Sequence, residues 1–111
     1  MKLTTWNIKG LGSKRKQRNL SNRMKEEKPD MSFIQETKCS VEKIREIHNK
    51  WLIKYEYLEV KANKTIRGIL TLWNPQKVGI LDAEASRNYL SVVIQPLGDR
   101  EVYLITNVYG P

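Results

Sequence analysis

Two polar side chains with ligand-binding chemistry stand where short strand-like segments of the sequence end. Glu36 closely follows the apolar run from Met31 to Ile34, and Asn7 ends the alternating segment that begins at Lys2. A basic, helix-like segment separates the two, so the order is strand, crossover, strand. Ligands tend to gather at the carboxyl ends of strands in open α/β sheets. Glu36 and Asn7 are therefore the first candidates for a functional site.

The segment between these strands carries the signals of a surface helix. Ser13 can cap its start, and Pro29 stops it because the residue before a proline disfavours helical geometry. Leu20 and Met24 give it only a thin apolar stripe. Positions 9 to 25 hold seven basic residues and no acidic one. A solvated helix face is the usual meaning of such a run, and contact with a nucleic-acid backbone is the alternative.

The rest of the chain predicts one more helix and a series of strands. Ser40 can cap the second helix, whose apolar positions recur at helical spacing from Val41 to Trp51. The stretch from Ile69 to Trp73 is almost continuously apolar, which is typical of a strand buried on both faces. The predicted strands after the second helix are Ile53 to Val60, Ile69 to Trp73, Val78 to Leu81 (a possible edge), Tyr89 to Gln95 and Val102 to Tyr109.

Composition narrows the class of partner. The 111 residues suffice for one small domain, and 20 Lys and Arg against 12 Asp and Glu give a formal net charge of +8. This balance favours polyanions, above all nucleic acid, although a basic surface without a ligand is the alternative. Cys39 is the single cysteine, so we expect a reducing compartment, nucleus or cytoplasm. No apolar stretch is long enough to span a bilayer, so no membrane partner is expected.

Three segments taken in order resemble one known superfamily. They are residues 5–11 (TWNIKGL), 33–38 (FIQETK) and 106–111 (TNVYGP). Together they are similar to the endonuclease/exonuclease/phosphatase superfamily, and within it to the endonuclease of LINE-type retrotransposons, a relative of the apurinic/apyrimidinic endonucleases. The stretch from Arg67 to Trp73 also resembles a family strand, with Arg67 where the family often has a second glycine. The resemblance extends over the whole chain.

The resemblance implies a fold class and an extent. We expect an α/β fold that forms half of a four-layer α/β sandwich, with a mixed, mainly antiparallel sheet and two helices on one face. Residues 1–111 would be the N-terminal part of the domain. The family pattern continues with an Asp-x-Asn motif, a further Asp and a closing Asp-His, and none of these has a counterpart in this sequence. We therefore expect a fragment that is inactive alone.

The same resemblance implies roles for individual residues. Asn7 and Glu36 would hold Mg²⁺ (or Mn²⁺) and the scissile phosphate, and Tyr109 would lie near that phosphate. A carboxylate beside an amide suits Mg²⁺, which binds through one or two carboxylates plus substrate phosphate. The reaction would be hydrolysis of a DNA phosphodiester. The residues expected at the nucleic-acid backbone are Lys9, Lys14, Arg15, Lys38 and Arg67.

Plainer interpretations exist for each of these residues. Asn7 could cap a turn, Glu36 could be a solvated strand-end carboxylate, and Tyr109 could be a packing aromatic. His48, the single histidine, lies outside every family motif and is expected to be structural. At the level of the whole chain, the alternatives to a nuclease are a basic, non-enzymatic nucleic-acid-binding module and an inert remnant of a mobile element.

A half-sandwich also predicts how the chain would behave in solution. We expect the apolar inner face of its sheet to lack a facing sheet. An exposed apolar face of that kind favours self-association or pairing with a missing C-terminal half.

Overall fold

A computed structural model describes residues 1–62, 67–86 and 88–108. Its elements alternate strand and helix twice and then continue as strands alone. In chain order they are β1 (Leu3–Asn7), α1 (Lys14–Glu27), β2 (Met31–Gln35), α2 (Val41–Trp51), β3 (Glu56–Val60), β4 (Ile69–Trp73), β5 (Val78–Ala85), β6 (Tyr89–Pro96) and β7 (Tyr103–Val108).

The strands form two sheets. The first has the order β1-β2-β4-β3, in which β1 and β2 are parallel and the other pairs are antiparallel. The second has the order β5-β6-β7 and is antiparallel throughout. The predicted α/β class, with a mixed, mainly antiparallel sheet and two helices, is confirmed. The arrangement is consistent with half of an α/β sandwich.

Both helices pack on one face of the first sheet. Ser13 and Ser40 cap them as predicted, each accepting a hydrogen bond from the backbone N–H three residues on, at 3.2 and 3.1 Å. Between helices and sheet lies a core of buried side chains: Leu11, Leu20, Met24, Ile34, Cys39, Ile44, Ile47, Leu52, Tyr55, Leu70 and Leu72. Neither helix in the described ranges is long and apolar enough to cross a membrane.

The opposite face of the first sheet is covered by the chain itself. Met31 and Phe33 of β2 are buried against Val78, Val92 and Ile94 of the second sheet. The expectation that this inner face would lack a facing sheet is therefore wrong over β2, because the strands after the Asn74 turn fold back across it. The cover does not extend fully to β1, where Leu3 is 44% exposed.

Two strands differ from their predicted bounds by three or more residues, each for a local reason. β5 continues to Ala85 instead of ending at Leu81, because a bulge between Ile80 and Asp82 interrupts the alternation that sequence reading depends on. β3 begins at Glu56 and not at Ile53, because a turn closed by the Tyr55 N–H on the carbonyl of Leu52, at 2.9 Å, precedes it.

Candidate active site at the strand ends

The parallel pairing of β1 and β2 brings the two predicted site residues together. Asn7 is in register with Gln35, so Glu36 is the next residue along at the same sheet edge. The side-chain amide of Asn7 faces the Glu36 carboxylate. Glu36 itself is 9% exposed. The plainer interpretation of Glu36 as a solvated strand-end carboxylate therefore does not fit its surroundings.

The Asn7 side chain also makes a hydrogen bond within the turn that follows β1. Its side-chain oxygen accepts a hydrogen bond of 3.1 Å from the backbone N–H of Lys9. This is the turn-capping contact that the sequence allowed. Because the oxygen is used in this way, the NH₂ of the same amide is the group left to face Glu36. Turn capping and contact with the candidate site are thus compatible in one side chain.

Backbone hydrogen bonds tie the loop after β1 to the loop after β2. The N–H of Gly10 donates to the carbonyl of Glu36 at 2.7 Å, and the N–H of Leu11 donates to the carbonyl of Thr37 at 2.9 Å. Gly10 has a φ of +102°, which suits glycine. The two loops continue the sheet beyond its last strand residues and hold Glu36 in a fixed position.

The segment just before β4 is also hydrogen-bonded to the loop after β2, on the side away from β1. The N–H of Thr37 donates to the carbonyl of Gly68 at 3.2 Å, and the N–H of Lys38 donates to the carbonyl of Arg67 at 2.6 Å. Gly68 has a φ of +91°, and a Cβ added there would lie 2.1 Å from the Thr37 hydroxyl oxygen. Only glycine permits this approach of the two segments.

Three non-glycine residues of the site adopt the left-handed conformation. They are Lys9 with a φ of 50°, Glu36 with 58° and Lys38 with 52°. Such residues each cost on the order of 1 kcal/mol or more and concentrate at functional sites. The strain is retained because the interlocking backbone hydrogen bonds leave these residues no relaxed alternative.

Glu36 forms an ion pair with Arg67. The distance from Arg67 Nη1 to Glu36 Oε1 is 2.9 Å, and the two side chains are 56% and 12% exposed, respectively. The pKa of Glu36 is lowered, first by the facing Asn7 amide and then by Arg67, with a further contribution from the charge of Lys38, while burial opposes the change. Glu36 is therefore an ionised carboxylate at neutral pH.

The donor chemistry fits part of a site for a hard cation. One ionised carboxylate beside an amide meets the minimum that Mg²⁺ takes from a protein when phosphate and water supply the remaining ligands. In the described ranges, no group of three or more His, Cys, Asp or Glu side chains is close enough together to hold a metal ion. Glu36 can therefore supply one ligand of a cation site, and the Asn7 amide, whose oxygen accepts from the Lys9 N–H, is placed to orient that carboxylate.

The other predicted site residues differ in where they lie relative to Glu36. Lys9 and Lys38 are exposed in the loops that flank Glu36, and Lys14 and Arg15 are exposed in the first turn of α1. Beside Asn7 opens a cavity of about 420 Å³, whose basic lining residues are Lys9, Lys16 and Arg23. Tyr109 lies outside the described residues.

Two further polar residues, Gln35 and Asn107, lie inside the segments that carry the resemblance but were assigned no role from the sequence. Gln35 donates from its side chain to the carbonyl of Val108 at 2.7 Å. Asn107, 2% exposed, donates to Thr71 Oγ1 at 3.3 Å, and its side-chain oxygen has no hydrogen-bond partner within the described ranges. Asn107 lies in the segment 106–111 that carries the family resemblance, but nothing in the sequence showed that its amide would be buried against β4. His48 binds the carbonyl of Tyr55 and has a structural role, as expected.

Two facing sheets, helices on one outer face and polar strand ends at one edge make up a fold that this chain shares with several solved structures. The chain matches D. rerio TDP2 complexed with a single-strand DNA product at a TM-score of 0.73 and 15% identity, over 100% of this chain and 47% of that one. It matches the AP endonuclease LMAP from Leishmania major at a TM-score of 0.70 and 21% identity, over 97% and 39%.

An endonuclease/exonuclease/phosphatase family protein from Bacteroides thetaiotaomicron matches at a TM-score of 0.69 and 9% identity, over 96% of this chain and 49% of that one. The chain thus spans about half the length, or less, of these solved structures. By sequence, no protein-family model and no curated protein matches it. At these identities the likeness shows the fold alone.

Proposed function

We propose that this chain supplies one side of the active site of a metal-dependent phosphodiester hydrolase that acts on DNA, of the LINE-retrotransposon endonuclease type. The observation that carries the proposal is the placement of Asn7 and the nearly buried Glu36 carboxylate side by side at the ends of two parallel strands. The fold and the net charge of +8 are consistent with it.

In this proposal the Glu36 carboxylate would ligate a divalent cation, Mg²⁺ or Mn²⁺, and Asn7 would orient that carboxylate. When bound, the cation supplies Lewis-acid polarisation of a phosphoryl oxygen and offsets the charge that develops there. Glu36 contributes a full negative charge from a position set by backbone hydrogen bonds, which lowers the reorganisation needed on binding. Asn7 orients that carboxylate through its amide while Lys9 N–H fixes the amide in turn.

The basic residues around the site would bind the DNA backbone. Lys9, Lys38, Lys14 and Arg15 are exposed near the Asn7 and Glu36 end of the sheet. Contacts of this kind position a duplex or single strand without reading its bases. Tyr109 would complete the phosphate site, a role that the family resemblance implies and that the position of Val108 beside Gln35 supports.

We further propose that residues 1–111 are the N-terminal part of the hydrolase domain and lack its later catalytic residues. The chain alone is then expected to bind a cation and DNA but not to cleave. A C-terminal half, or a second copy, is the partner that the uncovered part of β1 would accept, since Leu3 there is 44% exposed.

Cation binding by the chain is the direct test. Free Mn²⁺ is measured by electron paramagnetic resonance while wild type or Glu36→Gln is titrated, with Glu84→Gln, an exposed carboxylate on β5, as the matched control. Glu36→Gln should lose most of the binding and Glu84→Gln should retain it. Equal binding by wild type and Glu36→Gln would refute the proposal.

A plasmid-nicking assay tests the second part. Supercoiled DNA incubated with Mg²⁺ and the chain should remain uncut. Robust nicking that Glu36→Ala abolishes would overturn the proposed incompleteness while supporting the proposed chemistry.

The basic composition favours one other function, a non-enzymatic nucleic-acid-binding module. In that case DNA binding would be salt-dependent but indifferent to Mg²⁺ and to Glu36→Gln.

A further inference from the structure

Arg67 is placed where it satisfies the charge of Glu36 without any metal ion. We propose that Arg67 competes with the cation for Glu36. The guanidinium binds Glu36 Oε1 until a DNA phosphate binds the guanidinium instead. Cation and DNA therefore bind cooperatively. The inference rests on the proposed function, because Arg67 would compete with the cation that the Glu36 carboxylate is proposed to ligate.

The position of Arg67 is set by the backbone and is not an accident of a long surface side chain. Its carbonyl accepts from the Lys38 N–H at 2.6 Å, and the next carbonyl, of Gly68, accepts from the Thr37 N–H at 3.2 Å. These bonds place the Cα of Arg67 opposite the loop that carries Glu36. The guanidinium then reaches Oε1 at 2.9 Å.

The two partners differ in their freedom to move. The Glu36 side chain is 12% exposed and belongs to a loop held by backbone hydrogen bonds on both sides, whereas the Arg67 side chain is 56% exposed. If the pair separates, Arg67 is the partner that can swing into solvent while the carboxylate stays in place. The competition is therefore reversible and leaves the site intact.

Electrostatic repulsion prevents the Arg67 guanidinium and a cation from binding Glu36 Oε1 at the same time. A cation bound to the same carboxylate oxygen would lie within a few ångströms of the guanidinium charge, and like charges at such a distance repel. A DNA phosphate offers the guanidinium an alternative partner, since its planar fork of N–H donors binds phosphate oxygens in a bidentate manner. A phosphate at the site would thus remove the competitor and release Glu36 for the cation.

The competing interpretation is an ordinary surface ion pair with no effect on ligands, which is common for exposed pairs. The two interpretations differ in what loss of the arginine does. Under the competitor model, removing Arg67 strengthens cation binding in the absence of DNA and removes the part of the cooperativity that comes from displacing the guanidinium. As an ordinary ion pair, its loss changes neither.

The experiment measures Mn²⁺ affinity by electron paramagnetic resonance, with and without a short single-stranded DNA. The variants are Arg67→Ala, Arg67→Lys (which keeps the charge) and Arg100→Ala, an exposed arginine in the connection between β6 and β7. Without DNA, Arg67→Ala should bind Mn²⁺ roughly two- to fivefold more tightly than wild type, the range set by a half-exposed ion pair. Arg67→Lys and Arg100→Ala should stay near wild type.

With DNA present, both proteins should gain affinity for Mn²⁺, because phosphate can itself ligate the cation. Wild type should gain more, so that the roughly two- to fivefold advantage of Arg67→Ala disappears. Equal or weaker Mn²⁺ binding by Arg67→Ala in the absence of DNA would overturn the inference. If Glu36→Gln loses Mn²⁺ while Arg67→Ala behaves as wild type, only this inference fails. If Glu36→Gln binds as wild type, or no protein binds Mn²⁺ at millimolar concentration, the proposed function fails with it. Should Arg67→Ala not fold, as judged by circular dichroism, Arg67→Gln replaces it.

Discussion

The side-chain amide of Gln35 donates a 2.7 Å hydrogen bond to the backbone carbonyl of Val108, and this bond joins the ends of strands that belong to different sheets. Gln35 ends β2, immediately before Glu36, while Val108 ends β7 and immediately precedes Tyr109. One contact thus links the candidate carboxylate to the segment in which the family resemblance locates a phosphate-side tyrosine.

Gln35→Ala should loosen this link. The loss of one hydrogen bond should lower the free energy of unfolding by about 1 kcal/mol, and backbone amides of β7 should exchange faster with solvent. Urea unfolding and hydrogen exchange provide the two readouts. Gln95→Ala is the matched control, because Gln95 donates to the carbonyl of Asp99 at 3.0 Å within a single hairpin. Equal acceleration of β7 exchange in both variants would contradict the assigned role of Gln35.

Gly68→Ala should be more damaging than Gly98→Ala. Both glycines have positive φ, +91° and +85°, so each alanine is strained. At Gly68 the new Cβ would also meet the Thr37 hydroxyl oxygen at 2.1 Å, whereas nothing lies within 4 Å at Gly98. We expect Gly68→Ala to lose roughly 2–4 kcal/mol of stability, and Gly98→Ala about 1 kcal/mol. Thermal unfolding of both variants checks this; similar losses would mean that the loop at Gly68 can shift.

Lys14→Gln combined with Arg15→Gln should weaken binding to all DNA sequences by a similar factor. Both residues are exposed in the first turn of α1, at the candidate-site end of the molecule. If each contacts one phosphate, the slope of log K against log salt should fall by roughly one for each contact removed. Fluorescence anisotropy at several salt concentrations measures the slope. Lys77→Gln, at the opposite end of the sheet, should leave it nearly unchanged, and an equal effect there would indicate a diffuse charge effect.

Glu59→Gln should stabilise the protein at neutral pH. Burial raises the pKa of Glu59, with a further increase from Glu42, while Arg45 opposes it. Because the folded-state pKa exceeds the unfolded one, the folded protein binds the proton more tightly, and stability falls as the pH rises through that window. We expect a gain in Tm of roughly 1–2 °C at pH 7, shrinking toward zero at pH 4. A gain that is the same at both pH values would show that charge is not its cause.

Local signals in the sequence were enough to predict the parts of the fold that depend on neighbours along the chain. Ser13 and Ser40 cap their helices as predicted, because the cap involves only the next few residues. The apolar run from Ile69 to Trp73 is a buried central strand, as its continuous apolarity indicated. The bulge in β5 was not predictable, since an extra residue disrupts the alternation itself.

By itself, the order of strand, helix-like crossover and strand determined that Asn7 and Glu36 end at one sheet edge, because a parallel pair joined by a crossover aligns its carboxyl ends. Only the tertiary structure decided which residues contact Glu36 and Gln35 at that edge and what covers the sheet beside them. The pairing of Glu36 with Arg67 joins residues 31 positions apart. The second sheet lies over β2, and Gln35 binds Val108 across 73 positions. Such contacts follow from how the sheets pack, and no spacing along the chain encodes them.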